Sequence, residues 1–523
     1  MKKTFLSFVT LLVLCACTKN YKADEVDITK VPNKSSNSQF KNYLGVNAFE
    51  WDLVEDNNSN LISEKKIAVI KSFGAIRHYL DWERMESEQG QYSFNPTHSG
   101  GANYDLIYTR LKRDGIDVLA CIKNVPQWLI KTYPKDQQGA DNTPVIFDTD
   151  KSKPSSYIAQ AKMAFQFAAR YGNNKKIDTT LVSVNKSPRW NGDSLNVVKT
   201  GLNLIKYIEC NNEPDKWWAG KKAQQTAEEY ASNLSAFYDG HKGTLGKNVG
   251  VKNADPNMTV VMGGLGTADP EYVKKMIIWC KENRGLKPDG TVNLCFDVIN
   301  YHLYANDAFL NGGKASVGVA PELSEIGTIA DKFIKMRDEQ AINIPIWVTE
   351  TGYDAGKTPQ GAIAIGTKSS FITQADWNLR TALLYARHGI TRCMFYMLDD
   401  AGGINNPVQY SSSGFHDDFK KRPSADYILQ AKKLLGNYTY YRTLSNDPLV
   451  DLYKLDKKEI YVLTVPDQKN RKVSYWLNLG TAKQAVIHSL QVGKDKMLHK
   501  TVNTKNGKLQ ITVTETPVFV EKI

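Results

Sequence analysis

From about residue 41 to residue 435 the chain alternates short apolar runs with longer segments of helical period, which leaves few folds open to it. The first run is Tyr43-Leu44-Gly45-Val46-Asn47-Ala48, followed by a helical segment over Glu64 to Phe73. Ala75 to Leu80 reads as a strand, Tyr104 to Arg113 as a helix stopped by Asp114-Gly115, and Ile116 to Ile122 as the next strand. Tyr157, Ala161, Phe165 and Ala168 share one helical face by their i, i+3 and i+4 spacing. A long polar insertion, roughly 172–203, then precedes a strand over Ile205 to Cys210.

The second half repeats the pattern. Ala227 to Tyr238 is helical, with Thr226 and Glu229 placed as a capping box. Met258 to Met262 is a strand, and Asp269-Pro270 suits a helix start ahead of the stripe Tyr272, Val273, Met276, Ile277, Cys280. Phe296 to Leu303 is a strand, and Ile326, Ile329, Ala330 and Phe333 form one helical face. Ile344 to Thr349 is a strand ending at Glu350, and Thr373 with Asp376 resembles a capping box for the helix that Gly389 closes. Thr391 to Leu398 and Ala425 to Leu435 complete the series. Strands alternating with helices pair in parallel through crossovers, so eight units predict an α/β fold, a closed (β/α)8 TIM barrel. An open doubly wound sheet is the rival, but no Gly-rich phosphate turn follows the first strand.

Beyond Gly436 the helical period stops. Val450 to Leu455, Glu459 to Val465, Lys472 to Leu479 and Ile511 to Val520 predict a small antiparallel β-sandwich over 437–523. Packing against the barrel (41–436) and glycan binding are both open roles for it. At the other end, Lys2-Lys3 and the apolar run Phe5 to Ala16 predict a leader at 1–16. It ends in Leu14-Cys15-Ala16-Cys17, which resembles the bacterial lipobox, so the mature chain is expected to start at a lipidated Cys17. Residues 17–40 read as a flexible tether, which puts the chain on the bacterial cell envelope, held to the membrane by lipid alone.

The remaining five cysteines, Cys121, Cys210, Cys280, Cys295 and Cys393, are too scattered for a disulfide scaffold or a zinc site and read as buried apolar residues. A formal charge of +12 can favour acidic partners, but the lysines form no stripe and no nucleic-acid motif, so nucleic acid is not expected as a partner. No cofactor or metal is expected either, and the chain reads as a monomer.

The chemistry concentrates at Tyr207-Ile208-Glu209-Cys210-Asn211-Asn212-Glu213-Pro214, where a strand ends by presenting a carboxylate beside a side-chain amide. Its counterpart is Glu350 in Trp347-Val348-Thr349-Glu350-Thr351-Gly352-Tyr353. Counting strands puts Glu213 after the fourth and Glu350 after the seventh, both at strand C-terminal ends, where a barrel keeps its chemistry.

Those two motifs resemble glycoside hydrolase clan A, whose acid/base and nucleophile stand at these strand ends. The segments Arg77-His78-Tyr79-Leu80-Asp81-Trp82-Glu83 and Cys121-Ile122-Lys123-Asn124-Val125-Pro126-Gln127-Trp128 lean toward the β-xylosidase/iduronidase group, family 39. The resemblance implies a retaining glycosidase that cleaves a β-linked poly- or oligosaccharide, with Glu213 as acid/base and Glu350 as nucleophile. It further implies that Arg77 holds Glu350 ionised, that Asn212 donates to a sugar hydroxyl, and that His302 and Tyr304 orient the nucleophile. His302 as an ordinary satisfied barrel histidine stays open. Trp217, Trp218, Asn124 and Tyr396 are further sugar-contact candidates, Trp217 and Trp218 equally well as loop anchors. Two departures stand out: Asn211 where such enzymes often carry Trp, and Tyr396 with Asp399-Asp400 where many place a Trp under the sugar. Lys123 at a strand end leaves an acidic glycan open, and a catalytically inactive, lipid-anchored glycan-binding barrel is the alternative function.

Overall fold

A computed structural model of the chain describes residues 38–523. The leader, Cys17 and all but the last residues of the tether lie outside the described residues. Strand β1 (Leu44–Ala48) leads through α1 (Glu64–Ile70) to β2 (Ala75–Asp81), α2 (Tyr104–Arg113) leads to β3 (Asp117–Lys123), and α3 (Ile158–Tyr171) leads to β4 (Tyr207–Cys210). The second half runs α4 (Ala227–Asp239), β5 (Thr259–Met262), α5 (Pro270–Asn283), β6 (Ile299–His302) and α6 (Ile326–Glu339). It ends with β7 (Ile346–Glu350), α7 (Ser370–Arg387), β8 (Arg392–Phe395) and α8 (Pro423–Leu435). The strands lie in the order β5-β4-β3-β2-β1-β8-β7-β6, and parallel bridges Val261–Val298 and Leu265–Tyr301 join β5 to β6. The sheet is therefore a nearly closed (β/α)8 barrel, and the open doubly wound sheet is ruled out.

Several local signals act as their chemistry requires. Thr226 Oγ1 accepts from Glu229 N at 3.2 Å while the Glu229 carboxylate accepts from Thr226 N at 2.9 Å, closing the capping box of α4. Asp269 caps α5 by accepting from Glu271 N, with Pro270 in the first turn. The capping box expected at Thr373 and Asp376 is a correction: α7 already starts at Ser370, and both residues are buried inside it. Asp376 instead accepts from Lys368 and from Thr516 in a loop of the C-terminal region, both at 2.9 Å, so it answers a tertiary demand.

The barrel interior is layered by the two-residue period of its strands. Nearest the strand N-termini, Ala75, Leu119, Val261, Val298, Trp347 and Met394 form an apolar plug. Gly45 is required beside it, since a Cβ there would stand 2.7 Å from Met394 Cγ. One inward position further along, the lining turns polar with Asn47, Arg77, Glu209, Asn300 and Thr349, all at 0% exposure. Buried groups of this kind persist only when hydrogen-bonded, and these are bonded to one another. A register shift between β6 and β7 pairs Tyr301 with Val348 and then His302 with Glu350. This bulge lets consecutive residues Thr349 and Glu350 both face the interior, which strict alternation forbids.

The C-terminal region has eight strands, not the four expected. They are β9 (Thr439–Asn446), β10 (Leu449–Leu455), β11 (Lys458–Thr464), β12 (Val473–Asn478), β13 (Gln484–Ser489), β14 (Leu498–Asn503), β15 (Lys508–Val513) and β16 (Val518–Lys522). Six form a sheet in the order β9-β10-β11-β16-β13-β14, and β12 pairs with β15. The expected single strand over Ile511 to Val520 is two strands, β15 and β16, which belong to different sheets. Strand β9 carries two register shifts that blur its period, and β14 is exposed at nearly every position, so neither shows an alternating pattern. Val450, Leu452, Leu463, Leu477, Ile511 and Val520 fill the space between the sheets. The opposite face of the large sheet, through Tyr453, Ile460, Val462 and Phe519, joins the barrel core. Arg387 of α7 pairs there with Asp451 at 2.8 Å. Among the described residues no helix is long and apolar enough to cross a membrane.

Candidate active site

The loop leaving β4 is built around two positive-φ residues, Asn211 at 70° and Glu213 at 47°. Asn tolerates this region, and Asn211 Oδ1 steadies the turn by accepting from Asn212 N at 2.9 Å. Glu213 has no such excuse: holding its backbone there costs on the order of 1–3 kcal/mol, a strain typical of functional positions. Glu213 N donates to Gly264 O at 3.1 Å, which fixes the corner against the end of β5.

Arg77 on β2 is the hub. Its Nε and Nη2 donate to Glu209 at 2.7 and 2.9 Å, its Nη1 donates to Glu350 Oε1 at 2.7 Å, and Nη2 also donates to Asn212 Oδ1 at 2.8 Å. Glu209 Oε1 accepts further from Gly264 N and Asn300 Nδ2, both at 3.1 Å. Tyr79, two residues beyond Arg77 on the same face, donates to Glu350 Oε1, and Tyr304 donates to Glu350 Oε2 at 3.1 Å. Burial alone would raise the Glu350 pKa. The charges of His302 and Arg77 and the Tyr79 hydrogen bond outweigh it and hold the carboxyl below its ordinary value. Because Arg77 and Tyr79 occupy Asn212 Oδ1, the Asn212 amide nitrogen is left to donate into the cavity.

His302 stands between the two glutamates. Thr349 Oγ1 donates to Asn300 Oδ1 at 3.0 Å, so toward His302 Nε2, at 3.1 Å, it can only accept. The Nε2 proton is thereby fixed, and Nδ1 faces Glu213 Oε1 at 3.0 Å and Glu350 Oε1 at 3.6 Å. Glu213 and His302 Nδ1 thus face each other across a single hydrogen bond. Burial works to lower the His302 pKa, but the Glu350 charge and the Glu213 hydrogen bond leave it above its ordinary value. Gly264 makes room for this ring, since a Cβ there would lie 2.0 Å from His302 Nε2. Replacing Gly264 with Ala is expected to lower kcat by about 10²-fold, the cost of misplacing a reacting group by roughly 1 Å. Steady-state kinetics beside an unchanged far-UV spectrum checks this.

A cavity of about 580 Å³ opens above these groups, lined by Tyr79, Asn212, Glu213, Trp218, His302, Tyr304, Glu350 and Tyr396 together with Gln360, Gln409 and Tyr410. The predicted residues Glu213, Glu350, Asn212, His302, Tyr304, Trp218 and Tyr396 thus converge on one cavity, with Arg77 buried beneath it. Two do not. Asn124 turns away to donate to Asp81 at 2.9 Å, and Trp217 stands outside the cavity, 65% exposed. Asp399 and Asp400 are likewise engaged elsewhere, with Phe419 N and with Arg422. Sequence reasoning did not single out Tyr79 or Glu209, although both sit two residues from an inward-facing position. Gln360, Gln409 and Tyr410 come from loops with no periodic signal.

Ligand atoms of Glu213, His302 and Glu350 lie within 4.8 Å of one another, close enough for a cation to be held there. The Glu350 oxygen nearest His302 already accepts from Arg77 and Tyr79, so a cation would stand beside a guanidinium.

The fold is the one found in a broad set of sugar-cleaving barrels. A family 39 glycoside hydrolase from the gut symbiont Bacteroides cellulosilyticus WH2 is similar at a TM-score of 0.61 and 18% identity, over 93% of this chain and 81% of that one. A GH30 endoxylanase from Clostridium papyrosolvens C71 is similar at 0.51 and 13% identity, over 94% and 98%. An alpha-L-arabinofuranosidase from Thermotoga maritima is similar at 0.51 and 12% identity, again over 94% and 98%. Neither the protein-family models nor the curated proteins include a match to this chain.

Proposed function

We propose that the chain is a retaining glycosidase that cleaves a β-linked poly- or oligosaccharide through a covalent glycosyl-enzyme. The observation that carries this is the spacing of the two glutamates at the ends of β4 and β7. One carboxylate oxygen of each lies within 4.8 Å of the other. Double displacement works with carboxyl groups about 5–5.5 Å apart, whereas inversion needs about 6.5–9.5 Å to admit a water. The similar barrels named above include a family 39 hydrolase, an endoxylanase and an arabinofuranosidase, which supports the same reaction class. The β configuration follows the resemblance at Asn212-Glu213-Pro214.

In this mechanism Glu350, kept ionised by Arg77 and Tyr79, attacks the anomeric carbon as Glu213 gives its proton to the departing oxygen. Water then enters, Glu213 takes one of its protons, and the hydroxyl displaces Glu350 from the sugar. His302 Nδ1 holds the Glu213 carboxyl in position through both steps, and Asn212 Nδ2 meets a sugar hydroxyl as positive charge builds on the ring. Digestion of a glycan panel with anomeric NMR of the first-formed product tests this: retained configuration is expected, and inverted product overturns the mechanism.

The rate should also follow a bell-shaped pH curve. Its acid limb should lie below the ordinary carboxylate value of 4.5, because Glu350 is held ionised. Its alkaline limb should follow loss of the His302 proton and lie above the ordinary histidine value of 6.5, because the Glu350 charge and the Glu213 hydrogen bond hold that proton. A kcat/KM profile with either limb on the other side of those values counts against the proton assignment. Lipid anchoring at Cys17 belongs to the same proposal, and Cys17→Ala should move the protein from the membrane to the soluble fraction.

A further inference from the structure

The loop that carries Glu213 continues into Trp217–Ala219, and two tryptophans there keep 65% and 52% of their surface exposed. Adjacent large apolar rings left in water mark a binding surface. The ring of Trp218 faces the catalytic cavity, fitted against Gly266, where a Cβ would come within 2.5 Å of it. Trp217 stands at 6.0 Å and 83° to Trp218 and lines a second cavity of about 390 Å³. Consecutive residues border the two cavities, Gly266 the first and Thr267 the second. Asp215, 3% exposed, holds this pair by accepting from both backbone nitrogens at 2.9 Å. The second cavity therefore adjoins the loop that carries Glu213, with Asp215 and Trp217 in its lining.

Its chemistry selects a ligand class. An indole face suits the apolar C–H face of a sugar ring, and the ring's hydroxyls need donors and acceptors around it. Gln225 lines this cavity at 1% exposure, and while its Nε2 donates to Tyr157 Oη at 3.1 Å, its Oε1 has no donor. A buried acceptor without a donor is costly, and a sugar hydroxyl would satisfy it. Asp215, Glu228 and Asp269 outnumber the single cation Lys275 in the lining, so a carboxylated sugar is repelled. Lys123, which had left an acidic glycan open, is already paired with Asp81 at 3.0 Å.

We propose that this second cavity is a subsite for a neutral sugar residue of the leaving group. The enzyme then acts on neutral glycans that continue past the cleaved bond, in preference to glycosides of small aglycones. This rests on the reading of Glu213 as the acid.

The experiment compares kcat/KM of the wild type, Trp217→Ala and Trp217→Phe on two sets of substrates. One set is 4-nitrophenyl β-glycosides of xylose and glucose; the other is unsubstituted β-1,4- and β-1,3-linked tetrasaccharides of the same sugars. For Trp217→Ala the loss on the best tetrasaccharide should exceed the loss on the best aryl glycoside by tenfold or more, with most of it restored in Trp217→Phe. Equal losses on both sets, or no loss on either, overturn the subsite. So does a wild type that hydrolyses aryl glycosides but no tetrasaccharide. A wild type no faster than Glu350→Ala on every substrate overturns the glycosidase reading itself, and the subsite falls with it.

Discussion

Replacing Glu350 with Ala should abolish turnover, with a fall in kcat on the order of 10⁴-fold or more, the scale seen when one member of a catalytic constellation is removed. The corresponding change at Glu213 should behave differently. Its proton matters most when the leaving oxygen is a poor leaving group, so Glu213→Ala should lose roughly 10²–10⁴-fold on an unactivated disaccharide. On a 2,4-dinitrophenyl glycoside, whose phenolate departs unaided, glycosylation should be nearly unimpaired and the glycosyl-enzyme should accumulate. Pre-steady-state burst kinetics and intact-protein mass spectrometry read this directly. If both variants lose activity equally on both substrates, the assignment of roles within the pair is wrong. If Glu350→Ala keeps wild-type activity with its fold intact, the chain is not an enzyme of this kind.

The second large effect is expected at Arg77. Its guanidinium pairs with two buried carboxylates, Glu209 at 2.7 Å and Glu350 at 2.7 Å, and it is wholly enclosed. Arg77→Met keeps much of the volume but leaves Glu209 with only Gly264 N and Asn300 Nδ2 as partners. Removing one partner of a buried ion pair costs about 3–5 kcal/mol, so urea denaturation should show a loss of that size. Arg77→Met combined with Glu209→Gln should recover part of it, because the charge left unpaired is then gone. The acid limb of the pH–rate profile should meanwhile move to higher pH, since Arg77 no longer favours ionised Glu350. A loss below about 1 kcal/mol would put the pair in the class of exposed ion pairs and contradict the burial argument.

Much of this was legible in the residues. The eight repeating units announce themselves because barrel strands buried on both faces are continuously apolar, and because turns such as Asp114-Gly115 punctuate the helices. Glu213 and Glu350 could be found because each interrupts an apolar run at its end. Glu209 is harder to see: it lies inside a strand, and only the inward set Tyr207, Glu209 betrays that a carboxylate points into the barrel. The bulge at Thr349 is not legible at all, because strict alternation would send either Thr349 or Glu350 outward. Gln360, Gln409 and Tyr410 owe their positions to loops whose paths depend on tertiary contacts, such as Asp354 accepting from Tyr410 N at 3.0 Å. In the C-terminal sheets, bulged and solvent-facing strands lack the two-residue rhythm by which a strand is recognised.

The central strands of the large C-terminal sheet are covered on both faces, by the two-stranded partner sheet on one side and by the barrel core on the other. An appendage of that kind is not a detachable module. Cutting the chain near Gly436 would strip Tyr453 from the Phe40 ring and Asp451 from Arg387, leaving an apolar, charged scar where a sealed wall had been. The two regions should melt together in a single calorimetric transition. Anyone shortening this protein for expression would do better to trim before Phe40, whose ring is already packed into the body, than to remove the tail.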